Sequence, residues 1–383
     1  MIPYSKQYIS NDDINEVKKV LKSKFLTQGN VVENFEKKIC KYVGSKYAVA
    51  VSSASAGLHI ACIALNLKKN DILWTVPNTF IASASCGLHC GAKVDFVDID
   101  RKTKNISIDS LVEKLKIANK KKILPKILVP VHFAGQPTLQ EEIYYLSKKY
   151  NFKIIEDASH SLGSIRLKNK VGNCKWSNFT VFSFHPVKPI TTAEGGVVTT
   201  NDKKYYENLK ILRNHGILRD KKKFKIKSYW YYEQIKLGFN YRMNEIQAAL
   251  GISQLKKLDK FNYFRNKVAN YYIKHLKGLP IYLPTIEKNN LSSFHLFVIS
   301  FNEEKVKYTY DEIFKLLRKN GIGVNLHYLP LHLHPIFKKM GFRKGDFPIS
   351  EEHSRTSFSI PLFYKISKKD QLRVIKVLKN IFK

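Results

Sequence analysis

The chain has 383 residues, 44% of them hydrophobic, enough to bury a sizeable core and to form two domains or one large α/β domain with an appendage. No apolar run approaches the roughly 18 residues of a membrane span, and MIPYSKQYISNDD has no charged start leading into an apolar stretch, so no membrane partner and a cytoplasmic location are expected. The net charge of +35 is mostly lysine spread over the whole length, with short runs at Asn119–Lys122 and Lys221–Lys227; with few arginines and no nucleic-acid motif it reads as a solvated surface and not as a nucleic-acid face.

In chain order, Asn11–Lys22 has a cap residue, acids in its first turn and an apolar stripe of Ile14, Val17, Val20 and Leu21, which predicts a helix. Leu26–Gly29 reads as a turn and Val32–Tyr42 as a second amphipathic helix. Ala48–Val51 is a short strand running into Ser52-Ser53-Ala54-Ser55-Ala56-Gly57, with a helix following through Leu65. A strand, a serine-rich turn and a helix start aim several backbone N–H groups at one spot, which suits an anion; plain serine capping accounts for the same residues.

Strands are then expected at Ile72–Pro77, Val94–Val97, Ile127–Val131 and Lys153–Glu156, with helices at Thr79–Gly87, about Asp109–Lys120 and Leu139–Tyr150. Phe179–Phe184 is a further buried strand, stopped by Pro186, and Val197–Thr200 closes the run. Continuous Val/Ile strands with helical crossovers predict a mainly parallel sheet covered on both faces. No GxGxxG follows the first strand, which argues against a dinucleotide site. Ligands on such sheets lie beyond the carboxyl ends of the strands, so Thr79-Phe80, Asp157 and Lys188 fall in one cleft.

After Asn244 a long helical pattern, Glu245–Leu276, leads to a small α+β region: strand Phe294–Phe301, helix Tyr310–Lys319, strand Gly321–His327, a loop over Leu329–Pro335 and a closing helix from Lys368. The five cysteines, Cys40, Cys62, Cys86, Cys90 and Cys174, show no paired spacing, and most are expected as buried thiols. Leu331-His332-Leu333-His334 has no carboxylate or cysteine at ligand spacing, so no metal is expected.

Lys188 sits between Pro186 and Pro189, which leave its backbone few conformations. Alone it is either an ordinary surface turn or an amine that must be aimed. Asp157, ending the strand IIED, could be structural, a helix cap or catalytic. Together they point further. An imine-forming lysine, a carboxylate that keeps a pyridine nitrogen protonated and a helix-start phosphate pocket are what pyridoxal phosphate requires. The lysine must also serve as a neutral base, so its pKa is expected to be lowered toward about 7 to 8.

At LTQG (26–29), SASA (53–56), EDASHSLG (156–163), SFHPVKP (183–189), TTAEGG (191–196) and NYRMNEIQ (240–247), the sequence resembles the sugar-nucleotide aminotransferases of the DegT/DnrJ/EryC1/StrS family, and the likeness spans nearly the whole chain. The forms FSFHPVKPITTAEGG, SHSLGS and LHYLP are most similar to the subgroup that makes UDP-4-amino-4,6-dideoxy-N-acetyl-β-L-altrosamine, on the way to pseudaminic acid. The resemblance implies an α/β, fold type I, aspartate aminotransferase-like architecture. A large cofactor-binding domain over 1–250, with a mainly parallel seven-stranded sheet, would precede a smaller α+β domain over 251–383.

By the same resemblance Lys188 would carry pyridoxal 5′-phosphate, Asp157 would pair with the ring nitrogen, Phe80 would stack on the ring and His160 would meet the 3′-oxygen. Ala54, Ser55 and Ser183 would hold the phosphate, with Asn240 reaching it from the other subunit of a homodimer. The acceptor site would draw on Thr27, Gln28, Gly29, His185, His295, His327 and Tyr328. The implied reaction transfers an amino group from L-glutamate, leaving 2-oxoglutarate, to C4 of a UDP-linked 4-keto-6-deoxy-N-acetylhexosamine. Transfer to C3 or to a dTDP-linked sugar, and a non-catalytic binding protein on the same fold, are the alternatives.

Overall fold

A computed structural model describes every residue except 220–225 and 227, so most of the basic run Lys221–Lys227 lies outside the described residues. Seven strands form the main sheet: β1 (Tyr47–Val51), β2 (Ile72–Thr75), β3 (Lys93–Phe96), β4 (Ile127–Val129), β5 (Lys153–Asp157), β6 (Phe179–Ser183) and β7 (Gly196–Thr200). Their spatial order is β1-β7-β6-β5-β4-β2-β3. From β6 to β3 all neighbours are parallel, whereas β7 runs antiparallel to both β1 and β6.

The apolar strand runs are explained by cover on both faces. Val49, Val51, Ile155, Val181 and Val198 pack with the helix Ala54–Ala64 on one side, and Ala48, Ala50, Phe182 and Val197 with the helix Asn30–Val43 on the other. Gly57 lets the first of these helices lie against the sheet, since a Cβ there would meet Val181 at 3.0 Å and Val198 at 3.1 Å.

A second core gathers Tyr272 and Leu276, the strand Phe297–Phe301, and the helices Tyr310–Lys319 and Lys368–Ile381, and it also takes in Ile2. Its antiparallel sheet has the order Ile281–Tyr282, Phe297–Phe301, Ser357–Ile360. Leu331, Phe337 and Phe347 return to pack with the core of the main sheet.

Several elements differ from expectation. The pattern Glu245–Leu276 is two helices, Glu245–Leu255 and Leu258–Leu276. They part at Lys257, whose ammonium is drawn onto Asp13 at 2.8 Å, and a turn this short leaves the apolar period almost in phase. Gly321–His327 is no strand; it makes single bridges, Ile322 to Ile2 and Asn325 to Ser359. Leu329–Pro335 contains a 3-10 turn, Leu331–Leu333, and leads into a short helix, Pro335–Lys338. The helices Lys203–Leu212 and Pro348–Thr356 and the strand Ser357–Ile360 add to the predicted set. No described helix is long and apolar enough to cross a membrane.

Candidate active site

β5 delivers Asp157 to the carboxyl edge of the sheet, nearly buried. Its Oδ2 accepts the Ser83 hydroxyl at 2.6 Å, and its Oδ1 accepts the Ser159 amide at 3.1 Å and hydroxyl at 2.5 Å. Three donors fix the plane of the carboxylate. Sequence reasoning had no access to Ser83, which lies a helix away in the helix Ala82–His89.

The loop after β6 carries Lys188 and is sewn at both ends. The Phe184 amide donates to Gly195 O at 2.9 Å, its carbonyl accepts the Thr192 amide at 3.0 Å, and the Lys188 amide donates to His185 O at 2.9 Å. Burial pushes the Lys188 amine down to about 8, with the Asp157 charge pulling the other way.

At the start of the helix Ala54–Ala64 the Ser53 hydroxyl accepts, among the described residues, only the Ala56 amide, at 3.1 Å. The amides of Ala54 and Ser55 have no acceptor among the described residues, as the geometry of a helix start dictates. Gly196 makes this possible: a Cβ there would stand 2.6 Å from the Ala54 nitrogen.

His160 Nδ1 accepts the Ala134 amide at 3.3 Å, which assigns the proton to Nε2, 3.2 Å from Tyr328 Oη. The His160 and His295 rings lie 4.4 Å apart, and His327 Nδ1 is 2.6 Å from Ser359 Oγ. Burial and the nearby Lys188 charge hold all three histidines below the ordinary range, His327 at about 3, so the histidines around the amine are neutral. Phe80 is 57% exposed, with its ring 6.3 Å from that of Tyr328; it belongs to the cavity and not to the core.

One cavity of about 500 Å³ brings these together: Ala54, Ser55, Phe80, Asp157, His160 and Lys188, with Ser183, His185, His295, His327 and Tyr328. Tyr4, Asn325 and Glu194 also line it and were not anticipated. Tyr4 and Asn325 are lone polar residues without periodic context, and Glu194 lies in the TTAEGG motif but was not assigned to the site. Four expected residues stand apart. Thr27 and Gln28 are exposed, Gly29 donates its amide to Glu245 Oε1 at 2.9 Å, and Asn240 is exposed and bridged to Asn214. His332, which sequence alone left without a carboxylate partner, meets Glu351 Oε1 at 2.9 Å, and no group of three His, Cys, Asp or Glu among the described residues could hold a metal ion.

A UDP-4-amino-4,6-dideoxy-N-acetyl-beta-L-altrosamine transaminase from Campylobacter jejuni is 37% identical over 97% of this chain and 94% of its own. Helicobacter pylori PseC, an aminotransferase involved in the biosynthesis of pseudoaminic acid, superposes with a TM-score of 0.89 at 30% identity, covering 100% of this chain and 99% of its own. Spr1654 from Streptococcus pneumoniae, in its PMP form, has a TM-score of 0.90 at 26% identity over 100% and 99% of the two chains. The seven-stranded sheet is that of a fold type I transferase. Residues 7–379 match the model of one family, and with this site in place the chain belongs to it: the DegT/DnrJ/EryC1/StrS aminotransferases.

Proposed function

We propose that the protein moves the amino group of L-glutamate to C4 of a UDP-linked 4-keto-6-deoxy-N-acetylhexosamine, UDP-2-acetamido-2,6-dideoxy-β-L-arabino-hex-4-ulose, with pyridoxal 5′-phosphate as cofactor. The observation that carries this reading is the meeting of Lys188, Asp157 and the free amides of Ala54 and Ser55 in one cavity. An amine of lowered pKa, a fixed carboxylate and bare helix-start amides fit the aldehyde, ring nitrogen and phosphate of that cofactor. The likeness to the Campylobacter transaminase and to PseC supports the choice of acceptor.

When bound, the cofactor supplies an electron sink for the bond broken at the substrate carbon. Lys188 would hold it and, once freed by the amino donor, would take the proton from the donor's Cα and deliver it to the cofactor's carbonyl-derived carbon, which its pKa of about 8 allows near neutral pH. Asp157, clamped by Ser83 and Ser159, keeps a proton on the ring nitrogen. Ala54, Ser55 and the Ser183 hydroxyl bind the phosphate, and Phe80 covers a ring face. His160 presents its shared Nε2–H to the ring oxygen. His185, His295, His327 and Tyr328 form the acceptor wall, extended outside the cavity by Thr27, Gln28 and Gly29.

The working unit is a homodimer. Asn240 faces solvent and does not line the cavity of its own chain, which fits a residue lent across a twofold contact to complete the phosphate site. Five free cysteines suit the reducing cytoplasm, and the positive surface favours encounter with an anionic nucleotide sugar.

The test is a panel of UDP-, dTDP- and GDP-linked keto sugars offered with glutamate, with products identified by mass and NMR. Amination at C4 of the N-acetylated UDP sugar, with 2-oxoglutarate released, is expected. Amination at C3, or only of dTDP sugars lacking the acetamido group, would overturn the acceptor assignment, and no amination of any sugar would overturn the reading.

A further inference from the structure

A second cavity, of about 520 Å³, lies between the loop 101–104, the segment 277–286 and the small antiparallel sheet. It has the size of a small-molecule site. Side chains alternate along a strand, and here Phe297 and Ile299 enter the core while Leu296, Val298 and Ser300 line the cavity. A solvated sheet face would be polar at such positions, yet two of the three are aliphatic. Phe133 and Ile286 add to the apolar lining.

Its charged lining is one-sided. Arg101, Lys102, Lys104 and Lys277 face a single carboxylate, Glu352, which Arg101 already holds at 2.7 Å. Lys104 is half-buried; its amide donates to Asp100 O at 2.9 Å, but its ammonium makes no hydrogen bond or ion pair among the described residues. Burial pushes its ammonium below the usual lysine range, against the pull of Glu352 and Asp100. A cation withdrawn from water without a bonded partner is costly, and an anion placed beside it relieves that cost.

We propose that this cavity binds an amphipathic carboxylate, its alkyl or aryl body on Val298 and Phe133 and its headgroup on Lys104. The site is separate from the one that holds Lys188, and the two share no lining residue.

Equilibrium dialysis of the intact holoenzyme against decanoate tests it, with decanol as the uncharged comparison. Expected are saturable binding of one decanoate per chain, weaker binding of decanol, and a loss of at least about tenfold in decanoate affinity in Lys104→Met, the size of a lost charged contact. Val298→Trp fills the floor and should abolish binding of both probes with the glutamate half-reaction unchanged; Val298→Met replaces it if the larger residue prevents folding. Absence of saturable binding, unchanged affinity in Lys104→Met, or displacement of decanoate by uridine diphosphate would overturn the proposal.

Discussion

Tyr328 Oη meets His160 Nε2 at 3.2 Å, with the two rings inclined by only 21°. The contact ties the segment after Asn325 to the chain leaving β5, so the proposed acceptor wall and the proposed cofactor wall share one hydrogen bond. Tyr328→Phe keeps the ring and removes the acceptor. A neutral hydrogen bond contributes about 1 kcal/mol, so the glutamate half-reaction should slow roughly fivefold in single-turnover measurements. An unchanged rate would show that the hydroxyl does not position His160.

Asp157→Asn is nearly isosteric and can keep its oxygen toward the Ser159 amide and hydroxyl, with its NH2 turned to the Ser83 hydroxyl, which can rotate to accept. It cannot hold a proton at a ring nitrogen by charge. The chemical step should fall by about 10²-fold or more, the scale seen when a preorganised electrostatic partner is removed. Far-ultraviolet circular dichroism and the melting curve should stay at wild type. Turnover of glutamate at the normal rate would mean another group partners the ring.

The Lys188 amine titrates at about 8 in the fold against about 10.4 in an unfolded chain. Below pH 8 the folded apoprotein carries the full cost of a shielded charge. Between the two values the unfolded chain binds more protons, so this residue's contribution to stability rises with pH. Lys188→Met apoprotein should therefore unfold at higher urea than wild type at pH 7, with the gap closing toward pH 10. Comparing the pair cancels the phenols of Tyr42 and Tyr328, which burial pushes up and which act in the opposite sense. A gap independent of pH would contradict the lowered pKa. In the holoenzyme, borohydride reduction and peptide mapping should label Lys188 and no other lysine.

Complementation examines the twofold arrangement. Lys188→Ala and Asn240→Trp are each expected to be inactive, and subunit exchange should yield mixed dimers with one doubly defective site and one intact site. Recovered activity, up to about half per mixed dimer, is the expected result. Exchange without recovery would place Asn240 in the service of its own subunit.

Lys188 and Asp157 were legible because both follow apolar strands whose period marks the edge of the sheet, and because two prolines flank the lysine. The main sheet was legible for the same reason. Tyr4 and Asn325 were not, since long-range packing brings each lone residue to the cavity. Ser83 was hidden likewise: a helix-surface serine carries no sign that its hydroxyl meets a carboxylate one strand away. The helix break at Lys257 escaped because apolar periodicity passes almost unaltered through so short a turn, and Asp13, the ion-pair partner of Lys257, is remote in sequence. Gly321–His327 was misread because its Ile322 and Val324 are buried without a partner strand, and alternation reports burial before it reports pairing.

The reversed direction of β7 also bears on the order in which the site is built during folding. The chain leaves β6 and re-enters the sheet at the same edge, so the Lys188 loop closes as a hairpin between near neighbours in sequence. The free amides of Ala54 and Ser55 follow β1, whose pairing of Val51 with Gly196 joins distant parts of the chain. Closing a long loop costs more entropy and is slower than closing a hairpin. Amine and carboxylate can thus be in register while the amide cradle is still absent. An anion that binds only the completed cradle, the role proposed for the cofactor's phosphate, would then draw the edge strand home by mass action and so take part in assembly as well as in binding.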